Sequence, residues 1–335
     1  MVDGTSLLII YGVVVSAISF LAVFFMTPIA IKSLTAKGKV VPDAHKPNKP
    51  SVPRPAGPVL MAGIAAAEIV LYAMTLNTAV LAVLLTTAIA FAIGYIDDNR
   101  VMPGWFKPVA LLAAAIPLVV LGAHDNYLNL IFGSAFIPLL YIPLIFVIIP
   151  ITGNTINSID VLNGVASGFI IIATIPLLAS IAIFGSDELL FLAALPLLFA
   201  AIAFYKFHKF PSRIFPGDSG TLLLGAMYGA LAIAGRSEII GVIALLPAIM
   251  NSFLFLASVK RLVEHRQVKA RPVTLLGDFK LAASEDRAAP ATLVRLILAG
   301  GPLGEKEIGY QILKLAIFTA LLAFASIAIQ YIFWL

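Results

Sequence analysis

The chain has 335 residues, 61% of them hydrophobic and only 12% charged. A soluble domain carries about twice that share of charge, so composition and a mean hydropathy of +1.05 exclude an ordinary soluble protein and imply an integral membrane protein. With no cysteine there is no disulfide framework and no thiolate chemistry.

A helix needs roughly 20 apolar residues to cross the hydrocarbon core. Runs of about that length lie at 6–31, 57–76, 78–96, 107–123, 135–152, 165–184, 187–205, 219–235, 238–259 and 311–334. They predict an all-α polytopic membrane protein with ten transmembrane helices. The opening MVDGTSLLIIYG has no positive leader region or small-residue cleavage site, and is expected to begin a retained helix. Leu76-Asn77-Thr78, Gly185-Ser186-Asp187 and Gly235-Arg236-Ser237 are expected to be tight turns. Pro143, Pro150 and Pro196 are tolerated, because neighbouring helices satisfy the freed backbone groups. Residues 260–310 are the one long polar insert; its RPVTLL looks like a strand and ATLVRLILAG like an amphipathic helix. The predicted division is therefore helices 1–9 over 1–259, a small α/β insert over 260–310, and the last helix over 311–335.

Of the 22 lysines and arginines, all but Arg236 fall on connections or helix ends of one side. The positive-inside rule makes that side cytoplasmic and puts both termini outside. The basic residues would meet anionic headgroups, so membrane lipids are expected partners and nucleic acid is not.

Acids and amides gather on the same side. FAIGYIDDNR ends an uncharged run with Asp97 and Asp98. Two adjacent carboxylates repel each other at the mouth of a low-dielectric region unless a cation compensates them, and carboxylate and amide oxygens suit Mg²⁺. Alone, the pair could be a solvated helix end. In PITGNTINSIDVLNG, residues 150–164, the polar Asn154, Asn157, Asp160 and Asn163 recur every third position. At helical spacing they would line one face, where capping is the plainer role. IFPGDSGTLLLG puts Asp218 before an apolar helix, as an N-cap would stand, and a helix N-terminus attracts phosphate. Lys107, nine residues after Asp98, reaches the same layer, although an interfacial lysine often only snorkels. Glu68 is the one deep acid, best accounted for by an interhelical hydrogen bond. A rival reading is a cation-coupled transporter using the aspartates, but the polar groups lie on one face rather than at mid-bilayer, and no internal repeat is evident.

In combination, IDD with Lys107 nine residues on, NTINSIDVLNG, FPGDSG and an HR pair before the last helix resemble the polyprenyl-phosphate N-acetylhexosamine-1-phosphate transferases. The first loop VVPDAHKPNKPSVPRPAG and the late ATLVRLILAGGPLGEKE are similar to the eukaryotic and archaeal branch, which makes GlcNAc-diphospho-dolichol. The run of histidines of the bacterial phospho-MurNAc-pentapeptide enzymes is not found. The resemblance implies transfer of a sugar-1-phosphate, GlcNAc-1-phosphate first, from a UDP-sugar to a polyprenyl or dolichyl phosphate with release of UMP. It implies Mg²⁺, with Mn²⁺ as substitute, held by Asp218 and Asn157. Asp97, Asp98 and Lys107 match the catalytic acids and lysine, and Asn163, Gly164 and Phe215 the nucleotide site. Asn154, Asp160, His265 and Arg266 match sugar and pyrophosphate contacts. A homodimer is compatible with the family, and the site would face the cytoplasm, at the plasma membrane in a prokaryote. Three positions depart from the pattern: Arg54 where that branch usually has glutamate, Glu264 in place of arginine, and Val101 in place of a polar residue.

Overall fold

A computed structural model describes residues 4–46, 48–100, 102–260, 268 and 270–334. Each of the ten apolar runs forms a helix. In chain order these are α1 (Gly4–Ala36), α2 (Gly57–Thr75), α3 (Thr78–Asn99), α4 (Phe106–Val120), α5 (Pro138–Ile159), α6 (Val165–Phe184), α7 (Glu188–His208), α8 (Gly217–Ala234) and α9 (Glu238–Val259), then a short α10 (Leu293–Ile297) and the long α11 (Glu305–Trp334). Eight of them are long and apolar enough to cross a membrane. The other two depart for different reasons. α4 spans 15 residues. α8 is 18 residues long and buried along its whole length, so its solvent is other helices rather than lipid.

Local chemistry sets several helix ends. Asn77 Oδ1 accepts from the amides of Ala79 and Val80 at 2.8 and 3.2 Å, and Asp187 Oδ1 from that of Leu189 at 2.9 Å, both as N-caps. Asn77 Nδ2 also donates to Asp187 Oδ2 at 2.6 Å, tying the two turns together. α5 runs past Pro143 and Pro150 to Ile159, so PITGNTINSI is helical, and the helix ends before Asn163.

Among the described residues there are also three small antiparallel hairpins: β1 (Val40–Pro42) with β2 (Ser51–Pro53), β3 (Tyr127–Leu130) with β4 (Gly133–Phe136), and β5 (Val273–Leu275) with β6 (Leu281–Ala283). The last, with α10, lies within the insert. Thr292 caps α10 at the Arg295 amide, 3.1 Å away, and α11 starts at Glu305, six residues before the apolar run. α8 is the axis on which α2, α3, α5 and α7 pack. Gly94 of α3 makes the closest approach possible: a Cβ there would lie 2.5 Å from the Asp218 carbonyl oxygen. That contact sets the acids at the end of α3 beside the first turn of α8.

Candidate active site

The first turn of α8 is built by a side chain from another helix. Asp98 Oδ1 accepts from the Asp218 amide at 2.9 Å, while its Oδ2 accepts from the Ser219 amide at 2.9 Å and the Ser219 hydroxyl at 2.6 Å. These are donors that a helix N-terminus leaves without partners. Gly217, at φ 72°, turns the chain into the helix; a Cβ there would stand 2.8 Å from Asp98 Oδ2. Asp98 is thus an N-cap supplied from α3, and its side chain is 1% exposed.

Asp218 is clamped between two cations. Its Oδ1 accepts from Lys107 Nζ at 3.0 Å and Asn157 Nδ2 at 2.8 Å, and its Oδ2 from Arg54 Nη2 at 2.7 Å. Lys107 Nζ also reaches Asp97 Oδ2 at 3.0 Å, and Asp97 Oδ1 accepts from the Met102 amide at 3.0 Å. Arg54 Nη2 is shared with Asp98 Oδ1 at 3.0 Å. Desolvation opposes the charge on Arg54, but Asp218, Asp98 and Asp160 outweigh it and hold the guanidinium protonated. Burial pushes the Asp160 carboxyl up to about 7; Arg54 pulls it down and Asp218 adds to the rise.

Beside this cluster lies a cavity of about 280 Å³, lined among others by Asp43, Arg54, Asn157, Asp160, Asn163 and Phe215. His208 stands in its wall. Its Nδ1 is 2.8 Å from Ser167 Oγ, its Nε2 is 3.6 Å from Asp160 Oδ1, and its ring meets that of Phe215 edge-on at 6.5 Å. Asn163 is held from all sides. Its Oδ1 accepts from the Ser212 amide at 2.6 Å and from Lys46, its Nδ2 donates to Asp43 at 3.2 Å, and its amide donates to Glu305 at 3.1 Å. Lys46 pairs with Asp43 and lies 3.4 Å from Glu305, so the first loop and the start of α11 close on the turn between α5 and α6. A larger hollow of about 1000 Å³ between α1, α6 and α7 is apolar and lies towards the other end of the bundle, away from these groups.

The structure therefore gathers Asp97, Asp98, Lys107, Asn157 and Asp218 into one layer and puts Asp160, Asn163 and Phe215 at the adjoining cavity. Gly164 packs on Tyr205 and Lys209 at the foot of α7. Asn154 Nδ2 donates to the Pro150 carbonyl one turn back, at 2.8 Å. His265, Arg266, Glu264 and Val101 lie outside the described residues. Sequence reasoning missed Ser219 and His208, met Asp43, Lys46 and Glu305 only inside the resembling stretches VVPDAHKPNKPSVPRPAG and ATLVRLILAGGPLGEKE without giving them a role, and met Arg54 only as a departure. Ser219 follows Asp218 directly and Arg54 is the arginine nearest the PAG turn; His208 carries no local signal. Among the described residues no three His, Asp or Glu side chains group as a metal cage.

Comparison with known proteins decides the lineage. The model of glycosyl transferase family 4 matches residues 80–236, which hold every member of the layer except Arg54. A relative from Saccharolobus solfataricus, named for UDP-N-acetylglucosamine–dolichyl-phosphate N-acetylglucosaminephosphotransferase activity, is 30% identical over 227 residues, 65% of this chain and 69% of its own. This chain belongs to glycosyl transferase family 4. A relative from Bacillus subtilis, named for undecaprenyl-phosphate N-acetylglucosaminyl 1-phosphate transferase activity, is 27% identical over 67% of this chain and 63% of its own. The phospho-N-acetylmuramoyl-pentapeptide-transferase of Caldicellulosiruptor bescii is 28% identical over 67% of this chain and 74% of its own.

Proposed function

We propose that this family 4 protein transfers a sugar-1-phosphate, GlcNAc-1-phosphate before others, from a UDP-sugar to a polyprenyl or dolichyl phosphate and releases UMP. The observation that carries the reading is the Asp218 carboxylate, set at the buried N-terminus of α8 and held by Lys107, Arg54 and Asn157, of which Arg54 and Asn157 line the adjoining cavity together with Phe215. The names of the relatives above agree with it. In this reading ten helices cross the membrane, both termini lie outside, and the layer faces the cytoplasm; the one-sided distribution of lysine and arginine supports that orientation.

Phosphoryl transfer asks for positioning and charge neutralisation more than for covalent work. The acceptor phosphate is largely ionised at neutral pH. One of its oxygens bonds to the sugar-bearing phosphorus, the bond from that phosphorus to the UMP oxygen breaks, and UMP leaves with the electron pair. Lys107 supplies fixed positive charge where negative charge builds up. Phe215 offers a face on which the base stacks. Asp98, spent on capping α8, keeps Asp218 in place rather than moving a proton.

The residues fit a divalent ion. Even with Asp160 protonated, Asp97, Asp98 and Asp218 outnumber Arg54 and Lys107. Mg²⁺ is commonly held by one or two carboxylates together with substrate phosphates, so a three-carboxylate cage is not required. Mg²⁺ on Asp218 and Asn157 would supply Lewis-acid polarisation of the diphosphate.

The test is UMP release by the detergent-purified chain given UDP-GlcNAc and a short polyprenyl phosphate, with Mg²⁺ and then with EDTA. Release that needs both lipid and metal is the expected result. No release with any UDP-sugar would overturn the reading, and cation flux in liposomes would then point to transport.

A further inference from the structure

Asp218 has one oxygen whose only donor among the described residues is Arg54. Its Oδ1 is held by Lys107 and Asn157, its Oδ2 by the Arg54 Nη2 alone. Asp98, the other carboxylate on that nitrogen, keeps three further bonds from Asp218 and Ser219 if Arg54 leaves. Departure of the guanidinium would therefore free one carboxylate oxygen and leave the capping of α8 intact.

Arg54 is also placed to go somewhere. Of its five N–H donors, only those on Nη2 are engaged among the described residues. Its side chain is 26% exposed, against 12% for Lys107, and it lines the 280 Å³ cavity. Its backbone is fixed: the Arg54 amide donates to the Lys39 carbonyl at 3.1 Å, and the Phe215 amide to that of Pro53 at 3.0 Å. The root of the side chain is thus stitched to the FPGD segment while its fork faces the space a diphosphate must enter to reach Asp218. A planar fork matches phosphate oxygens two at a time.

Building on the sugar-1-phosphate reading, we propose that Arg54 is a placeholder cation and a donor-binding residue. Without substrate it covers Asp218 Oδ2. When a nucleoside-diphosphate sugar arrives with its divalent ion, the guanidinium exchanges the carboxylate for diphosphate oxygens, and the vacated oxygen takes the ion. A doubly charged cation and a diphosphate enter together, so the net charge of the layer is unchanged.

Two opposite signs follow from removing Arg54. Two cations competing for one carboxylate are negatively coupled, and couplings between sites run at roughly 5- to 150-fold. Mn²⁺ binding to the full purified chain without substrates, followed by electron paramagnetic resonance, should tighten by a factor in that range in Arg54→Ala. The same variant should raise KM for UDP-GlcNAc and leave KM for the polyprenyl phosphate unchanged. Arg54→Gln, which is neutral but keeps reach and hydrogen bonding, should move both quantities in the same directions and carries the test if the alanine variant does not fold. Lys39→Ala removes a nearby exposed charge whose side chain bonds, among the described residues, only to Asn99, and should move neither. Mn²⁺ affinity unchanged or weakened in a folded Arg54 variant would overturn the proposal, as would an unchanged donor KM. The metal readout uses no substrate, so it judges Arg54 even if the chain releases no UMP.

Discussion

The two ends of the bundle each carry buried charge, and they are built differently. At the end away from the acidic layer, several polar groups tie neighbouring elements together. Asp125 pairs with Arg236, the Tyr141 hydroxyl donates to Glu238, and Asn129 Nδ2 donates to the Arg236 carbonyl at 3.1 Å. The His124 ring stacks on Tyr141 at 5.8 Å. This cluster pins the β3–β4 hairpin to the turn between α8 and α9. At the other end Arg54 and Lys107 are each shared between two carboxylates, acids outnumber bases, and a cavity opens beside them. The outer contacts join a hairpin to a turn, whereas the inner ones hold a surplus of carboxylates beside a cavity lined by Arg54 and Asn157, which suits a ligand.

That contrast can be broken most sharply at Asp218. Asp218→Asn should lower UMP release by at least about 10²- to 10³-fold, the loss typical when one fixed electrostatic contact at a transition state is removed, with the fold retained by size-exclusion chromatography.

Asp98 tests whether the inner end also has a structural part. Asp98→Ala leaves the Asp218 and Ser219 amides without an acceptor, and each such buried donor costs about 1–3 kcal/mol. Thermal melting should show the loss. Asp98→Asn keeps an acceptor oxygen for the cap and should keep measurable turnover; if it were as inactive as the alanine variant while melting like the wild type, proton transfer would be its role instead.

A smaller effect belongs to Asp160. The folded state holds a proton that the unfolded chain, with the ordinary carboxyl value of 3.8, has lost. The contribution of Asp160 to stability is therefore present below about pH 4 and falls away as pH rises to about 7. Asp160→Asn should melt higher than the wild type above pH 7 and show little advantage near pH 4. If the ionised form serves the donor, UMP release by the wild type should rise through a midpoint near 7, and the variant should lack that step.

The smallest change is expected at the outer end. Tyr141→Phe removes one buried hydrogen bond and should cost about 1–2 kcal/mol of stability, with kcat and both KM values unchanged. A fall in kcat would mean the two ends are coupled.

Some of this was legible in the residues alone. The apolar runs mark out the helices because a membrane helix must satisfy its backbone within itself. Asn77 and Asp187 announce their caps, because capping is settled within three residues. The company of Asp97, Asp98, Asn157 and Asp218 could be inferred from the side of the chain on which each lies. The roles within that company could not. Asp98 looks like half of a carboxylate pair, yet it caps a helix that begins 119 positions later. Asn154 keeps the threefold spacing of its neighbours but bonds to Pro150. Asn163 falls beyond the end of α5, so the periodic face predicted for it stops short. Arg54 reads as a deviation until the hairpin of β1 and β2 brings it onto Asp218.

The sequence by itself determined the solvent, the helices and the side on which the chemistry gathers, since these depend on hydropathy, charge and spacing along the chain. Only the tertiary structure decided which acid caps α8, which one is held between Lys107 and Arg54, and which of those cations lines the cavity. Those roles rest on contacts between residues tens to more than a hundred positions apart, made where Gly94 lets α3 touch α8.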